Sequence, residues 1–177
     1  ARYQPKSIDT PAFTADLYPT LIEIAGAHVE HQPRLDGIDL AAVIEDPEFK
    51  RTPMGFWHGH TQGQGTYSDR IIKSLLEAKL AGKANPHPER ILKNVKRFPT
   101  FGDDGLRGHA AWNAWPWKLH RIQDGDQVSF ELYQLIDDPM EQTDLSEARP
   151  ERVAVMKGDL ESWQRSVFDS WSGKHYP

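Results

Sequence analysis

Several residue types and patterns that point to common functions are absent from this chain of 177 residues. It has no cysteine, which excludes disulfides, thiolate catalysis and cysteine-ligated zinc. No apolar run approaches the roughly 18–20 residues of a membrane helix, so we expect no transmembrane span. No glycine-rich phosphate loop, HExxH or GxSxG motif occurs, and residues 1–6 lack the apolar stretch of a signal peptide. The formal net charge of −5 argues against a nucleic-acid binder.

The composition is that of a folded protein with a hydrophobic core. Hydrophobic residues make up 38% of the chain, and six residues are Trp. The charge is uneven, because the segment from Arg70 to Arg97 carries eight basic and two acidic residues and hence a local charge of +6. This basic segment is either a site for a polyanion or a solvated helix face.

Short helices are predicted in the first fifty residues. Asp16 is a candidate N-cap for the first helix, and Gly26 is its expected end. A second helix is predicted from Asp39 to Glu45. The first helix would carry an apolar stripe of Leu17, Leu21 and Ile24.

The middle of the chain, residues 51–107, is predicted to hold one strand and a basic helical insertion. The strand runs from Pro53 to His58 and leads into a glycine-rich loop. Ser68 is predicted to cap a helix that Gly82 ends, and Asn85-Pro86-His87-Pro88 is predicted to start a short basic helix.

From Gly108 the hydrophobic period shifts toward two, which predicts strands at about 109–113, 117–122 and 128–135, with a hairpin at Asp124-Gly125. An amphipathic helix of about twenty residues follows from Pro150. The predicted fold is therefore α+β, with a small antiparallel sheet of three to four strands packed by a long C-terminal helix. We divide the chain into residues 1–50, 51–107 and 108–177.

Histidines form the first candidate site. In His58-Gly59-His60 the two imidazoles are two residues apart on an extended strand, so they point to the same side and can reach one ligand. With His109 or His120, a three-histidine metal site is conceivable. One alternative is that these histidines contact a glycan or an anion. The other is that they are structural or merely exposed.

A tryptophan-rich hairpin forms the second candidate. Trp112, Trp115 and Trp117 lie near His109 and Lys118, and Trp faces can stack on sugar rings while a Lys meets an anion. The alternative is a small core built from wide flat side chains.

The order of several motifs resembles the C-terminal portion of type I sulfatases, in the alkaline-phosphatase-like superfamily. The resemblance rests on the segment from Thr14 to Gly26, on Leu35-Asp36-Gly37-Ile38-Asp39-Leu40, on Trp117-Lys118-Leu119, on Glu131-Leu132-Tyr133-Gln134-Leu135, on Asp138-Pro139-Met140-Glu141 with Asp144-Leu145, and on the terminal helix from Pro150 to Trp163. Gln134 and Asp144 depart from the Asp and Asn usual in the family. The stretch from Gly59 to Gly108 matches no family motif.

The resemblance implies a role in hydrolysing sulfate esters, mainly of sulfated carbohydrates, in a periplasmic or secreted setting. The short helices would cover the α/β sheet of an N-terminal catalytic half, which is the implied partner. His58, His60, His109, Lys118 and Trp57 are the residues that we expect to contact the substrate. A noncatalytic carbohydrate- or polyanion-binding module is the alternative.

The catalytic parts of that family are not in this sequence. Its formylglycine nucleophile arises from a C/S-x-P-x-R motif, which is absent here. The resemblance places the calcium ligands upstream of this segment, so calcium and formylglycine are implied only for a complete enzyme. We therefore expect no catalytic residue and no metal ligand in this segment, and an exposed apolar stripe on the first helix.

Overall fold

The computed structural model describes residues 7–46, 48–58, 68–86 and 106–175. In this part of the chain, helices α1 (Leu17–Ala25), α2 (Leu40–Glu45) and α3 (Ser68–Leu80) precede the long helix α4 (Pro150–Trp171), and a short 3₁₀ helix (Thr14–Asp16) leads into α1. The strands are β1 (Met54–His58), β2 (His109–Ala114), β3 (Trp117–Asp124) and β4 (Gln127–Gln134). None of the helices described is long and apolar enough to cross a membrane.

The four strands form one antiparallel sheet in the order β1-β2-β3-β4. This confirms the predicted α+β fold, including the strand entered from Pro53. β3 and β4 are joined by a two-residue turn, in which Gly125 has a φ of 58°. Only glycine adopts that left-handed backbone easily, which explains why Asp124-Gly125 predicted a hairpin.

One face of the sheet packs under α4 and forms the core. Successive strand residues point to opposite faces, so Trp112, Leu119 and Leu132, which are paired across three strands, share this face. They contact Met156 and Leu160 of α4, and Leu119, Leu132 and Leu160 are fully buried. Burying a side chain of this kind stabilises a fold by about 1.5–3 kcal/mol relative to leaving it exposed.

The opposite face, called the outer face below, carries the other half of each strand. Two cross-strand rows span all four strands: Met54, Asn113, Lys118 and Tyr133; and Phe56, Ala111, His120 and Glu131. The next row holds the pair His58 and His109 and the pair Ile122 and Ser129. The N-terminal segment covers it near β1, where the rings of Phe13 and Phe56 meet edge to face at 5.7 Å. The outer face is therefore more polar than the core face and only partly covered.

A buried ion pair joins the N-terminal segment to the chain just before β1. Asp16 is 0% exposed and accepts hydrogen bonds from the Arg51 guanidinium, at 2.9 and 3.2 Å, and from the backbone N–H groups of Phe13 and Ile38. Asp16 occupies the predicted N-cap position of α1, but its carboxylate makes no cap hydrogen bond to the helix and is used for this anchor instead. Gly26 does end α1, with a φ of 60°.

The apolar stripe of α1 is exposed, as expected from the sequence. Leu17, Leu21 and Ile24 are 55%, 62% and 70% exposed, respectively. The division into residues 1–50, 51–107 and 108–177 stays a prediction, although β1 from the second part and β2 from the third are neighbours in one sheet.

Candidate functional site

Three of the predicted substrate contacts lie on the outer face. His58 and His109 are direct cross-strand partners on β1 and β2, and Lys118 stands on β3 two rows away. His58 is exposed, while His109 and Lys118 are half-buried. The sheet register thus brings these side chains to one surface, although 51 residues separate the two histidines along the chain.

Trp57 and His60 are not brought to this group. Trp57 alternates with His58 and so lies on the core face, where it packs beside the core cluster and its indole N–H donates to the Arg107 carbonyl at 2.7 Å. The structure therefore does not place Trp57 with the histidines. His60 lies outside the described residues, as do Lys93 and Lys96 of the basic segment.

Glu141 lies at the centre of the polar cluster on the outer face. Its Oε1 accepts a hydrogen bond from Lys118 Nζ at 2.6 Å, and its Oε2 lies 2.7 Å from His120 Nε2. The side chains of Lys118, His120 and Glu141 are 23%, 27% and 27% exposed, so solvent and ligands can still reach them. One carboxylate thus bridges two nitrogen donors in charge-assisted contacts.

Two aspartates shape the turn that carries Glu141. Asp138 Oδ2 accepts hydrogen bonds from the N–H groups of Gln142 and Thr143, both at 2.8 Å. Asp144 Oδ1 accepts one from the Leu132 N–H at 2.9 Å and so ties the turn back to β4. These contacts hold the turn in place, since short acidic side chains satisfy free backbone donors in turns.

The electrostatics keep Glu141 ionised. Burial acts to raise its pKa, but hydrogen bonds from Lys118 and His120 outweigh burial and lower the pKa below its ordinary value. As a result, the Lys118 charge is already matched by a carboxylate. An anionic ligand at this site has to share Lys118 with Glu141, whereas a sugar hydroxyl can donate to Glu141 directly.

Tyr133 and Glu131 complete the cluster. The Tyr133 hydroxyl donates to Glu131 Oε2 at 2.8 Å, and the Tyr133 ring meets the His120 ring edge-on at 5.7 Å. Burial first, and then the hydrogen bond to Glu131, raises the Tyr133 pKa to about 12. Tyr133 therefore remains a neutral phenol over the physiological range and orients the Glu131 carboxylate.

His109 has a defined hydrogen-bonding role. The backbone N–H of Gln123 donates to His109 Nδ1 at 3.3 Å. With Nδ1 accepting, the network assigns the ring proton of the neutral imidazole to Nε2. Among the residues that the structure describes, no three His, Cys, Asp or Glu side chains are grouped closely enough to hold a metal ion.

The tryptophans of the hairpin divide between core and surface. Trp112 is 8% exposed and packs on Trp163 with ring centroids 6.1 Å apart, while Trp117 lies beneath the Arg152 guanidinium at 4.5 Å. These two side chains follow the core interpretation of the hairpin. Trp115 differs, because it is 43% exposed.

Sequence reasoning did not identify Glu141 or Tyr133 as site residues. Their signal was present, since both belong to motifs that carry the sulfatase resemblance. Lys118 and His120 are also two positions apart on β3, which places both on one face of the sheet. What the sequence could not show is that the turn after β4 brings Glu141 to these two side chains.

No family model matches the chain, and no curated protein matches it. Among solved structures, it is similar to BT4656 in complex with its substrate D-glucosamine-2-N,6-O-disulfate, with 15% identity and a TM-score of 0.46. The match covers 87% of this chain and 24% of that one, so the chain spans about a quarter of that protein's length. A likeness at this level does not carry ligand or activity over to this chain.

Proposed function

We propose that this chain is the C-terminal segment of a sulfatase that hydrolyses sulfate esters of carbohydrates. In this proposal the segment completes the fold of the enzyme and supplies one wall of the substrate cleft. The nucleophile and the metal site belong to an N-terminal catalytic half of the same polypeptide, located in the periplasm or outside the cell. The segment alone is inactive.

The observation that carries this proposal is that the described residues leave an apolar surface without a cover. The stripe of Leu17, Leu21 and Ile24 on α1 is more than half exposed, and Phe56 of the outer face is 43% exposed. Exposed apolar patches of this kind mark protein interaction sites. A catalytic half seated on α1 would bury them.

The sulfatase class is supported by the ordered motifs and by what they do in the fold. Trp117-Lys118-Leu119 lies in the inner strand β3, and Glu131 to Gln134 lies in β4. Asp138, Glu141 and Asp144 build the turn and the polar cluster described above. The resemblance thus falls on residues that determine the shape of the outer face.

Sulfated carbohydrate suits the chemistry of the outer face. His58, His109 and Lys118 offer N–H donors, while Glu131 and Glu141 offer carboxylate acceptors for sugar hydroxyls. Donors and acceptors mixed on a half-exposed surface match a ligand that has both hydroxyl and sulfate groups. The basic segment from Arg70 to Arg97 adds positive charge elsewhere in the chain.

Calcium and formylglycine would supply Lewis-acid and nucleophilic chemistry in the complete enzyme. The described residues do not fit either group, since they hold no metal-binding cluster and the chain has no C/S-x-P-x-R motif. The role of this chain's residues is restricted to binding and orienting the carbohydrate.

The first test is co-expression of the chain with the polypeptide encoded directly upstream in its gene. We expect a stable complex that releases inorganic sulfate from a glucosamine sulfate, and no sulfate release from the chain alone. Leu21→Glu should weaken the complex, whereas Glu23→Gln, on exposed α1 surface outside the stripe, should not. Sulfate release by the purified chain alone, or no association with the upstream polypeptide, would contradict the proposal.

The second test separates substrate binding from chemistry. In the complete enzyme, Lys118→Gln should raise KM for a sulfated polymer by roughly tenfold, as expected for one lost charge-assisted contact, and should change KM for a small aryl sulfate less. The matched control is Lys157→Gln, which removes the same charge from α4, on the core side of the sheet. Equal effects of Lys118→Gln on both substrates would remove Lys118 from the leaving-group site.

A noncatalytic carbohydrate- or polyanion-binding module is the second candidate. It is favoured by the completeness of the core between the sheet and α4, where Leu119, Leu132 and Leu160 are fully buried within this chain. Titration of the isolated chain with heparin distinguishes the two candidates. Tight binding indicates a self-sufficient module, and weak binding indicates a cleft wall.

A further inference from the structure

A cleft of about 570 Å³ lies at the turn between β2 and β3, apart from the Glu141 cluster. Its volume falls within the range of small-molecule sites, which is roughly 300–1,000 Å³. The N-terminal segment and the segment before β1 form its other walls. The residues that argue for a ligand are Asp9, Lys50, Arg51, Pro53 and Trp115.

Trp115 sets this cleft apart from the rest of the hairpin. Trp112 and Trp117 are used in packing around α4, whereas Trp115 lines the cleft and stays 43% exposed. An exposed indole beside a cleft offers a broad, electron-rich face. The slightly positive C–H groups of a sugar ring are attracted to such a face.

The charged groups of the cleft have distinct roles. Arg51 is committed to structure, because its guanidinium bonds to Asp16 and to the Pro11 carbonyl at 2.6 Å. Lys50 and Asp9 are exposed at the cleft wall. Lys50 therefore offers a cation for an acidic substituent, and Asp9 offers an acceptor for hydroxyl groups.

We propose that this cleft is a carbohydrate subsite in which Trp115 stacks on one sugar ring, Lys50 pairs with a sulfate or carboxylate on it, and Asp9 accepts a hydroxyl hydrogen bond. The subsite is separate from the Glu141 cluster. It shares with the proposed function only the ligand class, so either can fail alone.

A proline-rich peptide is the other ligand that an aromatic cleft can take. The presence of both a carboxylate and an ammonium group at the wall favours a sugar, which has donors and acceptors for both, over a polyproline helix that presents mainly carbonyl groups. The peptide is therefore included as a competing probe.

The experiment compares the whole chain with four variants, using calorimetry and ligand-observed NMR. The probes are a heparin tetrasaccharide, uncharged chitotetraose and a ten-residue polyproline peptide. Trp115→Ala should weaken binding of both sugars roughly tenfold, and Trp115→Phe should retain most of the affinity. Lys50→Gln should weaken only the heparin fragment. Trp171→Ala removes another exposed Trp, on α4, and should leave the binding of both sugars unchanged.

The outcomes separate the two proposals. The subsite proposal is overturned if Trp115→Ala leaves sugar binding unchanged or if the wild-type chain binds no sugar. It is also overturned if the polyproline peptide binds more strongly than either sugar. The Trp115 subsite can be confirmed while Lys118→Gln leaves KM of the complete enzyme unchanged. In that case the subsite proposal holds, and the proposal that the outer face lines the enzyme's substrate cleft fails. Thermal unfolding of each variant, with midpoints equal to wild type, ensures that folding does not cause the losses.

Discussion

Asp16 shows how one charged side chain is made tolerable inside the fold. A carboxylate without exposure is costly unless its oxygens are paired and hydrogen-bonded. Here Arg51 and two backbone N–H groups occupy both oxygens, and Arg51 itself stacks on the Phe13 ring at 5.1 Å. Each partner is therefore necessary to the other, and removing one leaves an uncompensated charge.

We predict that Asp16→Ala lowers the free energy of unfolding by about 3–5 kcal/mol, because Arg51 is left buried without its counter-ion. Urea unfolding followed by Trp fluorescence measures the change. Asp126→Ala, in the exposed turn between β3 and β4, is the control and should stay within about 0.5 kcal/mol of wild type. Equal costs for the two substitutions would show that the ion pair contributes nothing.

Gln164 presents the opposite case, a buried polar group without compensation. It is 0% exposed on α4, and its amide nitrogen and oxygen have no hydrogen-bond partner among the residues that the structure describes. An unpaired buried amide costs roughly 1–3 kcal/mol. We expect Gln164→Leu to raise the free energy of unfolding by about that amount, as measured by urea titration, while Gln127→Leu at an exposed position has little effect. Destabilisation by Gln164→Leu would indicate that the amide has a partner in solution.

Two glycines near the contact between helix α4 and the sheet have opposite roles. Gly55 lies on the core face of β1, where an added Cβ would come within 2.3 Å of the Trp163 ring. Gly158 lies within α4, where an added Cβ would meet nothing within 4 Å. The first glycine permits close packing, and the second only loosens the helix.

These positions give a paired prediction. Gly158→Ala should stabilise the protein by about 1 kcal/mol, since glycine lowers helix stability by that amount relative to alanine. Gly55→Ala should destabilise it by roughly 1–3 kcal/mol, because Trp163 is forced away from the strand. Thermal unfolding midpoints of the two variants test the pair. Shifts of the same sign would contradict the close contact of β1 with α4.

The whole molecule depends on several ionised carboxylates. Burial acts to raise the pKa values of Asp16, Glu141 and Asp144, but hydrogen bonds to their oxygens outweigh it and lower all three. For Asp138, the N–H groups of Gln142 and Thr143 lower the pKa. A carboxylate whose pKa is lower in the folded state stabilises the fold above its unfolded pKa, and this stabilisation is lost as the pH falls through the folded value.

We therefore predict that stability declines as the pH falls below about pH 4. Urea unfolding at a series of pH values measures the decline. Glu141→Gln should make the decline shallower, because this residue no longer takes up a proton on acid unfolding, whereas Glu147→Gln at an exposed position should not. Identical acid profiles for the three proteins would contradict the Glu141 contacts with Lys118 and His120.

The local pattern of the chain was sufficient to predict most secondary structure. Alternation with a period of two predicted β2, β3 and β4, and spacing of three and four predicted α4, because these periods follow directly from strand and helix geometry. The same alternation placed Lys118 on one face of β3. Element types and the fold class therefore needed only neighbouring residues along the chain.

Contacts between distant segments could not be read from these patterns. Three such contacts join residues that are 21 to 51 positions apart. They are the pairing of His58 with His109, the place of Glu141 between Lys118 and His120, and the burial of Asp16 against Arg51. Trp57 was predicted to contact the substrate together with the histidines, but it is adjacent to His58, and adjacent strand residues point to opposite faces. The candidate site was settled by sheet register and by the course of one turn, since these arise when the strands pack together and leave no periodic signal in the sequence.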